Sequence, residues 1–288
     1  MGKRSVSITV LVENTATMSG LKGEHGLSIW IETQHGTILW DTGQSGLLRE
    51  NADLLGIPVH KAEHIVISHG HYDHTGGVLE VLRDAPESKV YAHPGIFTNR
   101  FTPDEITPEK ARYIGNRFDR KELEKSCGML ELSSSPTEIV PGVFMTGEIP
   151  RRTDYEDVGG DFFLDEKCTI PDTIPDDQSL VIETDEGLIV VLGCCHAGLI
   201  NTLNMISEHW RTKQFLLIAG GMHLIHASKE RLIKTVEALD DFSLGMLSPG
   251  HCTGWSSQCY LGSAFPDSIN PLHVGWTWTR IEKISMKN

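Results

Sequence analysis

The chain has 288 residues, 39% hydrophobic and 22% charged, a balance that excludes the disordered and fibrous classes. Lys and Arg number 25 against 39 Asp and Glu, and the resulting net charge of −14 argues against nucleic acid or an anionic membrane surface as a partner. No apolar run approaches the roughly 20 residues of a membrane span, and no secretory leader is expected from the Ser- and Thr-broken start.

Residues 6–12 read as a strand. Residues 27–33 and 37–40 read as two more, joined as a hairpin through Gln34-His35-Gly36. Asp41-Thr42-Gly43 breaks the sheet. Residues 45–55 carry Leu47, Leu48, Leu54 and Leu55 at helical spacing. Residues 64–67 read as a short buried strand, 76–83 as a helix and 89–92 as a strand. Residues 97–127 are polar and Pro-punctuated, and predict an insertion of short helices outside the core. Residues 138–146, 179–184 and 188–192 read as strands, with a long loop over 151–178. Helices over 201–210 and 229–239 alternate with strands over 215–219 and 245–248. Two strand-rich halves interleaved with helices predict two packed sheets flanked by helices. With no polar linker between them, residues 1–288 are expected to form one domain.

Six cysteines are present, Cys194 and Cys195 adjacent, with no C-x-x-C pair. This fits reduced thiols in a cytoplasmic protein better than a disulfide framework. Cys194, Cys195 and Cys252 read as small apolar packing groups.

The chemistry concentrates at Ser68-His69-Gly70-His71-Tyr72-Asp73-His74-Thr75-Gly76-Gly77, directly after the strand at 64–67. Three imidazoles and a carboxylate fall within six residues. Such donors suit zinc, iron or manganese. The small or turn-tolerant spacers let His69 and His71 face one point, and Asp73 and His74 a neighbouring one.

HGHYDH resembles the H-x-H-x-D-H signature of the metallo-β-lactamase superfamily. Asp41-Thr42-Gly43, Gly193-Cys194-Cys195-His196-Ala197-Gly198 and Ser248-Pro249-Gly250-His251-Cys252 resemble its further motifs. Glu24-His25-Gly26-Leu27-Ser28, Gly147-Glu148-Ile149-Pro150-Arg151, Gly220-Gly221-Met222-His223-Leu224 and His251-Cys252-Thr253-Gly254 resemble one branch, the 7,8-dihydropterin-6-methyl-4-(β-D-ribofuranosyl)-aminobenzene-5′-phosphate synthase-like proteins. The resemblance implies an α/β fold, a four-layer αββα sandwich. It implies two divalent metal ions, zinc first, with manganese or iron as alternatives. It places His69, His71 and His196 at one metal, and Asp73, His74 and His251 at the other.

One departure stands out. Much of the superfamily carries a metal-bridging aspartate where this chain has Gly220-Gly221-Met222-His223. His223 is then a ligand, an acid/base group or a hydrogen-bonded structural histidine. Asp41 either orients a metal-bound imidazole or forms the turn before Thr42-Gly43. His25, His93 and His226 are candidates to line the cleft. Arg151 and Arg152 are candidate contacts for a small anionic substrate.

The expected activity is hydrolysis of a phosphoester, lactone or thioester by a metal-bound hydroxide, since coordination lowers the pKa of water toward roughly 7. Asp73 would bind metal and orient the nucleophile. Two alternatives remain: a transferase joining a dihydropterin diphosphate to a ribosyl-aminobenzene phosphate, and a non-hydrolytic di-iron redox or sensor protein. The carboxylate-poor donor set disfavours the last.

Overall fold

The structure is a computed structural model and describes residues 5–281. Strands β1 (Ser5–Val12), β2 (Ser28–Thr33) and β3 (Gly36–Trp40) form an antiparallel meander. Helix α1 (Leu47–Leu55) then leads to β4 (His64–Val66), and α2 (Tyr72–Thr75) and α3 (Val78–Asp84) lead to β5 (Lys89–Ala92). Here the pairing turns parallel, β3 to β4 to β5. A hairpin of β6 (Phe101–Pro103) and β7 (Ala111–Tyr113), followed by α4 (Arg120–Ser126), precedes β8 (Met129–Leu132).

The second half begins with β9 (Thr137–Val140), β10 (Val143–Met145), β11 (Ser179–Thr184) and β12 (Gly187–Leu192), paired antiparallel in sequence. Helix α5 (Leu199–Trp210) crosses to β13 (Gln214–Gly221), and α6 (Lys229–Leu239) crosses to β14 (Ser243–Gly250), both parallel to β12. Helix α7 (Trp255–Ala264) follows, and β15 (Thr277–Ile281) returns to pair with β1. The strand orders are β15-β1-β2-β3-β4-β5-β8 and β14-β13-β12-β11-β10-β9.

Period-two alternation explains the layering. Ile38 and Trp40 of β3 meet Ile189 and Val191 of β12 between the sheets, in one apolar core. Leu39 faces the opposite way, onto Leu48 of α1 and Val81 and Leu82 of α3. Leu188, Val190 and Leu192 face Leu199 and Leu203 of α5. The result is the expected αββα sandwich. Each fully buried aliphatic side chain here stabilises by about 1.5–3 kcal/mol. A bulge between Val10 and Val12 turns Val12 to the helical side and leads the chain to Glu13, a buried carboxylate at the sheet's end.

Several expectations need correction. Residues 138–146 are two strands, because Pro141-Gly142 makes a turn with Gly142 at φ 79°. The insertion contains a β-hairpin as well as a helix, and that helix is not outside the core: Leu123 of α4 is fully buried against the first sheet's helical layer. Strand β8, helix α7 and strand β15 were not expected.

Both sets of parallel strands end at one rim, the position where open α/β sheets bind ligands. Asp41 follows β3, His69 follows β4, Cys194 follows β12, His223 follows β13 and His251 follows β14. No helix among the described residues is long and apolar enough to cross a membrane.

Candidate metal centre

Backbone strain marks the rim. Asp41, Cys195, His223 and His251 hold φ of 56°, 63°, 43° and 50°. Left-handed conformation in a non-glycine residue costs on the order of 1–3 kcal/mol and persists only where the surroundings enforce it.

The histidines are arranged by one rule. In four buried rings, one nitrogen meets a protein oxygen, and the other is left for the centre. His69 Nδ1 lies 2.8 Å from Ser68 Oγ, and its Nε2 lies 3.0 Å from His71 Nδ1. His74 Nδ1 lies 2.7 Å from Asp41 Oδ2, and its Nε2 lies 3.2 Å from His251 Nε2. His251 Nδ1 lies 2.9 Å from Asn14 Oδ1. His196 Nδ1 lies 2.9 Å from the Val158 carbonyl, while its Nε2 is buried without a partner. His71 Nε2 is likewise buried without a partner. An oxygen at one ring nitrogen fixes tautomer and orientation, as metal-binding imidazoles require.

Donor atoms gather in overlapping groups, each within 4.8 Å: His69, Cys194 and His196; His74, Cys194 and His251; His25, Asp73 and His251; and Cys194, His223 and Cys252. Asp73 Oδ2 lies 3.3 Å from His251 Nε2, 3.6 Å from His74 Nε2 and 3.2 Å from His25 Nε2. His71 joins through its contact with His69. Converging imidazole lone pairs, orphaned buried nitrogens and a carboxylate make a donor set that fits a divalent cation.

Electrostatics favour ligation at the first cluster, whereas His74 must give up a proton to bind metal. Burial holds His69, His71 and His196 well below the ordinary imidazole value, so they are neutral donors. Burial and neighbouring His251 push His223 down to about 3. Burial opposes charge on His74 too, but Asp41 and Asp73 outweigh it and raise His74 to about 9. Asp73 stays well below the usual carboxylate range, because the surrounding histidines outweigh its burial. Burial pushes Asp177 up to about 6; its Oδ2 accepts from Ala197 N at 2.8 Å, and its Oδ1 has no partner.

The HGHYDH loop is anchored from a distance. Fully buried Arg100 binds Asp172 at 2.7 Å and Asp176 at 3.0 Å. Asp176 also accepts from Gly70 N at 2.8 Å. A side chain at Gly70 would run into the Ile96 carbonyl and the Arg100 guanidinium. Asp41 accepts from Ser68 N and Ser68 Oγ, both at 2.7 Å, besides holding His74. The loop at 151–178 covers the other side: Phe162 packs on His71 and His196 at 5.2 Å and on His223 at 6.0 Å.

The six residues expected as ligands therefore meet at one rim. His223 joins them, its ring 4.2 Å from that of His196 and its Nδ1 buried without a partner. Arg152 is engaged elsewhere, with Glu208 at 2.6 Å on the surface, and Arg151 binds the Thr173 carbonyl at 2.7 Å. His25 touches Asp73, whereas His226 is exposed. Sequence reasoning missed Cys194 as a donor, Glu13 and Asn14 as supports of His251, and Phe162. The Cys-Cys-His run was the available signal for the first; no motif announces the others.

The sequence profile of the metallo-beta-lactamase superfamily matches residues 21–168. A 7,8-dihydropterin-6-methyl-4-(beta-D-ribofuranosyl)-aminobenzene-5′-phosphate synthase of Methanocaldococcus jannaschii is 30% identical over 284 residues, 94% of this chain and 95% of that protein. The chain belongs to the metallo-β-lactamase superfamily. Among solved structures, a metal-dependent hydrolase of the beta-lactamase superfamily matches with a TM-score of 0.80 and 28% identity, over 96% of this chain and 100% of that one. Zinc-bound PqqB from Methylobacterium extorquens shares the fold, with a TM-score of 0.57 and 14% identity over 94% and 99% of the two chains. Members of this superfamily are generally enzymes that bind divalent metal, and the His, Cys and Asp groups of this chain accord with that.

Proposed function

We propose that this chain is a metal-dependent hydrolase of a small anionic ester, a phosphoester ahead of a lactone or thioester. The observation that carries the reading is the set of four buried rings, His69, His74, His196 and His251, each with one nitrogen held by an oxygen and the other left for the centre. His69, His71 and His196 would hold one divalent ion and Asp73, His74 and His251 a second, zinc first. When bound, such ions polarise the electrophile and lower the pKa of water. The chain's own residues do the rest. Ser68, Asp41, Val158 and Asn14 fix the imidazole orientations, and Phe162 keeps water from one flank. His223, neutral at working pH, would serve as the acid/base group beside His196; its Nδ1 faces Gly159, which leaves Nε2 for that role. Arg151 steers the anion; Arg152, paired with Glu208, does not enter this reading.

The same proposal takes 1–288 as one domain, supported by a core that runs from Ile8 to Trp276. It takes the chain as cytoplasmic, supported by six free cysteines. The named relative supports a second reading, a transferase joining a dihydropterin diphosphate to a ribosyl-aminobenzene phosphate. One panel separates the two. Zinc-loaded protein is offered a phosphodiester, a lactone, a thioester and the dihydropterin pair. Hydrolysis without diphosphate release supports the first reading; a joined product with diphosphate release replaces it with the second.

A further inference from the structure

Cys194 and Cys195 are adjacent and both buried, yet they face different surroundings. Cys195 lies in the apolar core with Leu199 and Leu203, its Sγ 3.4 Å from the Thr202 hydroxyl. Cys194 belongs to none of the three apolar clusters. Its Sγ lies 3.1 Å from His74 Nε2. It is also the donor common to the His69–His196 group and the His74–His251 group. His196 Nε2, in the first of these groups, is buried without a partner.

Among the described residues no carboxylate stands in that shared position. Asp73 groups with His25 and His251 and not with His69 or His196. A side chain cannot enter from the end of β13 either. At Gly221 a Cβ would lie 2.5 Å from the Gly193 carbonyl and 2.6 Å from Cys252 Sγ. Cys252 Sγ lies across that space, with the Cys194 backbone beside it at 3.3 Å.

We infer that Cys194 is a shared metal ligand, a thiolate placed between the two histidine clusters. This rests on the proposed metal cage. The chemistry is simple: the S–H proton leaves to solvent as the sulfur–metal bond forms, and no electrons are transferred. An anion shared by two cations offsets their repulsion, which grows as the dielectric falls. A soft sulfur donor also biases the centre toward zinc over manganese or magnesium.

Cobalt(II) loading tests the inference without any substrate. Wild-type protein should bind cobalt and show a sulfur-to-cobalt charge-transfer band in the near ultraviolet. Cys194→Ser should lose the band and at least about tenfold in cobalt affinity. Cys194→Asp should recover affinity but not the band. The Cys195→Ser/Cys252→Ser double variant should keep the band, which assigns it even if Cys194→Ser fails to fold. Cobalt binding by wild type without a sulfur band, or a band that survives in Cys194→Ser, overturns the shared thiolate and leaves the histidine cage standing. Failure of wild type to bind cobalt overturns both.

Discussion

After β4, four donors follow within six residues: His69, His71, Asp73 and His74. After β12, β13 and β14 the donors come separately, with His196, His223 and His251 each brought by its own strand. The contiguous donors adopt no left-handed backbone, whereas His223 and His251 do, as does Cys195 beside His196. A loop can turn each donor inward by local geometry but needs an outside anchor, here Arg100 with Asp172 and Asp176. Dispersed donors are aligned by sheet register instead. Val191, Ala219 and Ser248 stand side by side across β12, β13 and β14. Each strand must then bend sharply at its end, and the strain is the physical cost of that delivery.

The dispersed side is challenged most strongly by His223→Ala. Turnover of a chromogenic phosphodiester should fall by about 10²–10⁴ with metal content unchanged, the usual contribution of positioned proton transfer. A fall in metal content instead would make His223 a ligand. On the contiguous side, Arg100→Met should cost about 3–5 kcal/mol in urea unfolding, because Asp172 and Asp176 would be left buried and unpaired. A loss below about 1 kcal/mol would show that the loop holds itself. Asp41→Ala should weaken metal binding by about 10–100-fold, since it removes the group that fixes His74; equilibrium dialysis reads this directly.

The smallest effect is a pH dependence on the dispersed side, measured with a chelator present. Asp177, whose carboxylate holds the turn after His196, has a folded pKa raised to about 6 from the ordinary 3.8. The folded chain therefore binds that proton more tightly than the unfolded one. Its stabilisation is full below about pH 4 and is lost as pH rises through about 6. Asp177→Asn stays neutral and should flatten the change in unfolding midpoint across that window. An unchanged slope would remove Asp177 from the account.

The same contrast explains what the sequence revealed. HGHYDH is readable because its donors are neighbours in the chain. His196 and His251 were found only through resemblance to a family, since a lone histidine after a strand carries no local signal. Cys194 reads as packing in the sequence because a buried filler and a candidate ligand have the same sequence appearance. Strand β5 and helix α6 show plain apolar patterns, and their expected bounds match the structure. Helix α7 has only Ser257 and Leu261 buried, with Trp255 exposed, so no apolar stripe marks it. Strands β6 and β7 have three residues each, too few for alternation to register.

The central claim is that both sides of the rim serve one metal centre. Metal content per chain, measured after purification and zinc dialysis, tests it most directly. The account predicts two ions in the wild type, with the loss of bound metal in both His69→Ala, from the contiguous side, and His251→Ala, from the dispersed side. A wild type that retains no metal, or unchanged content in both variants, would contradict it.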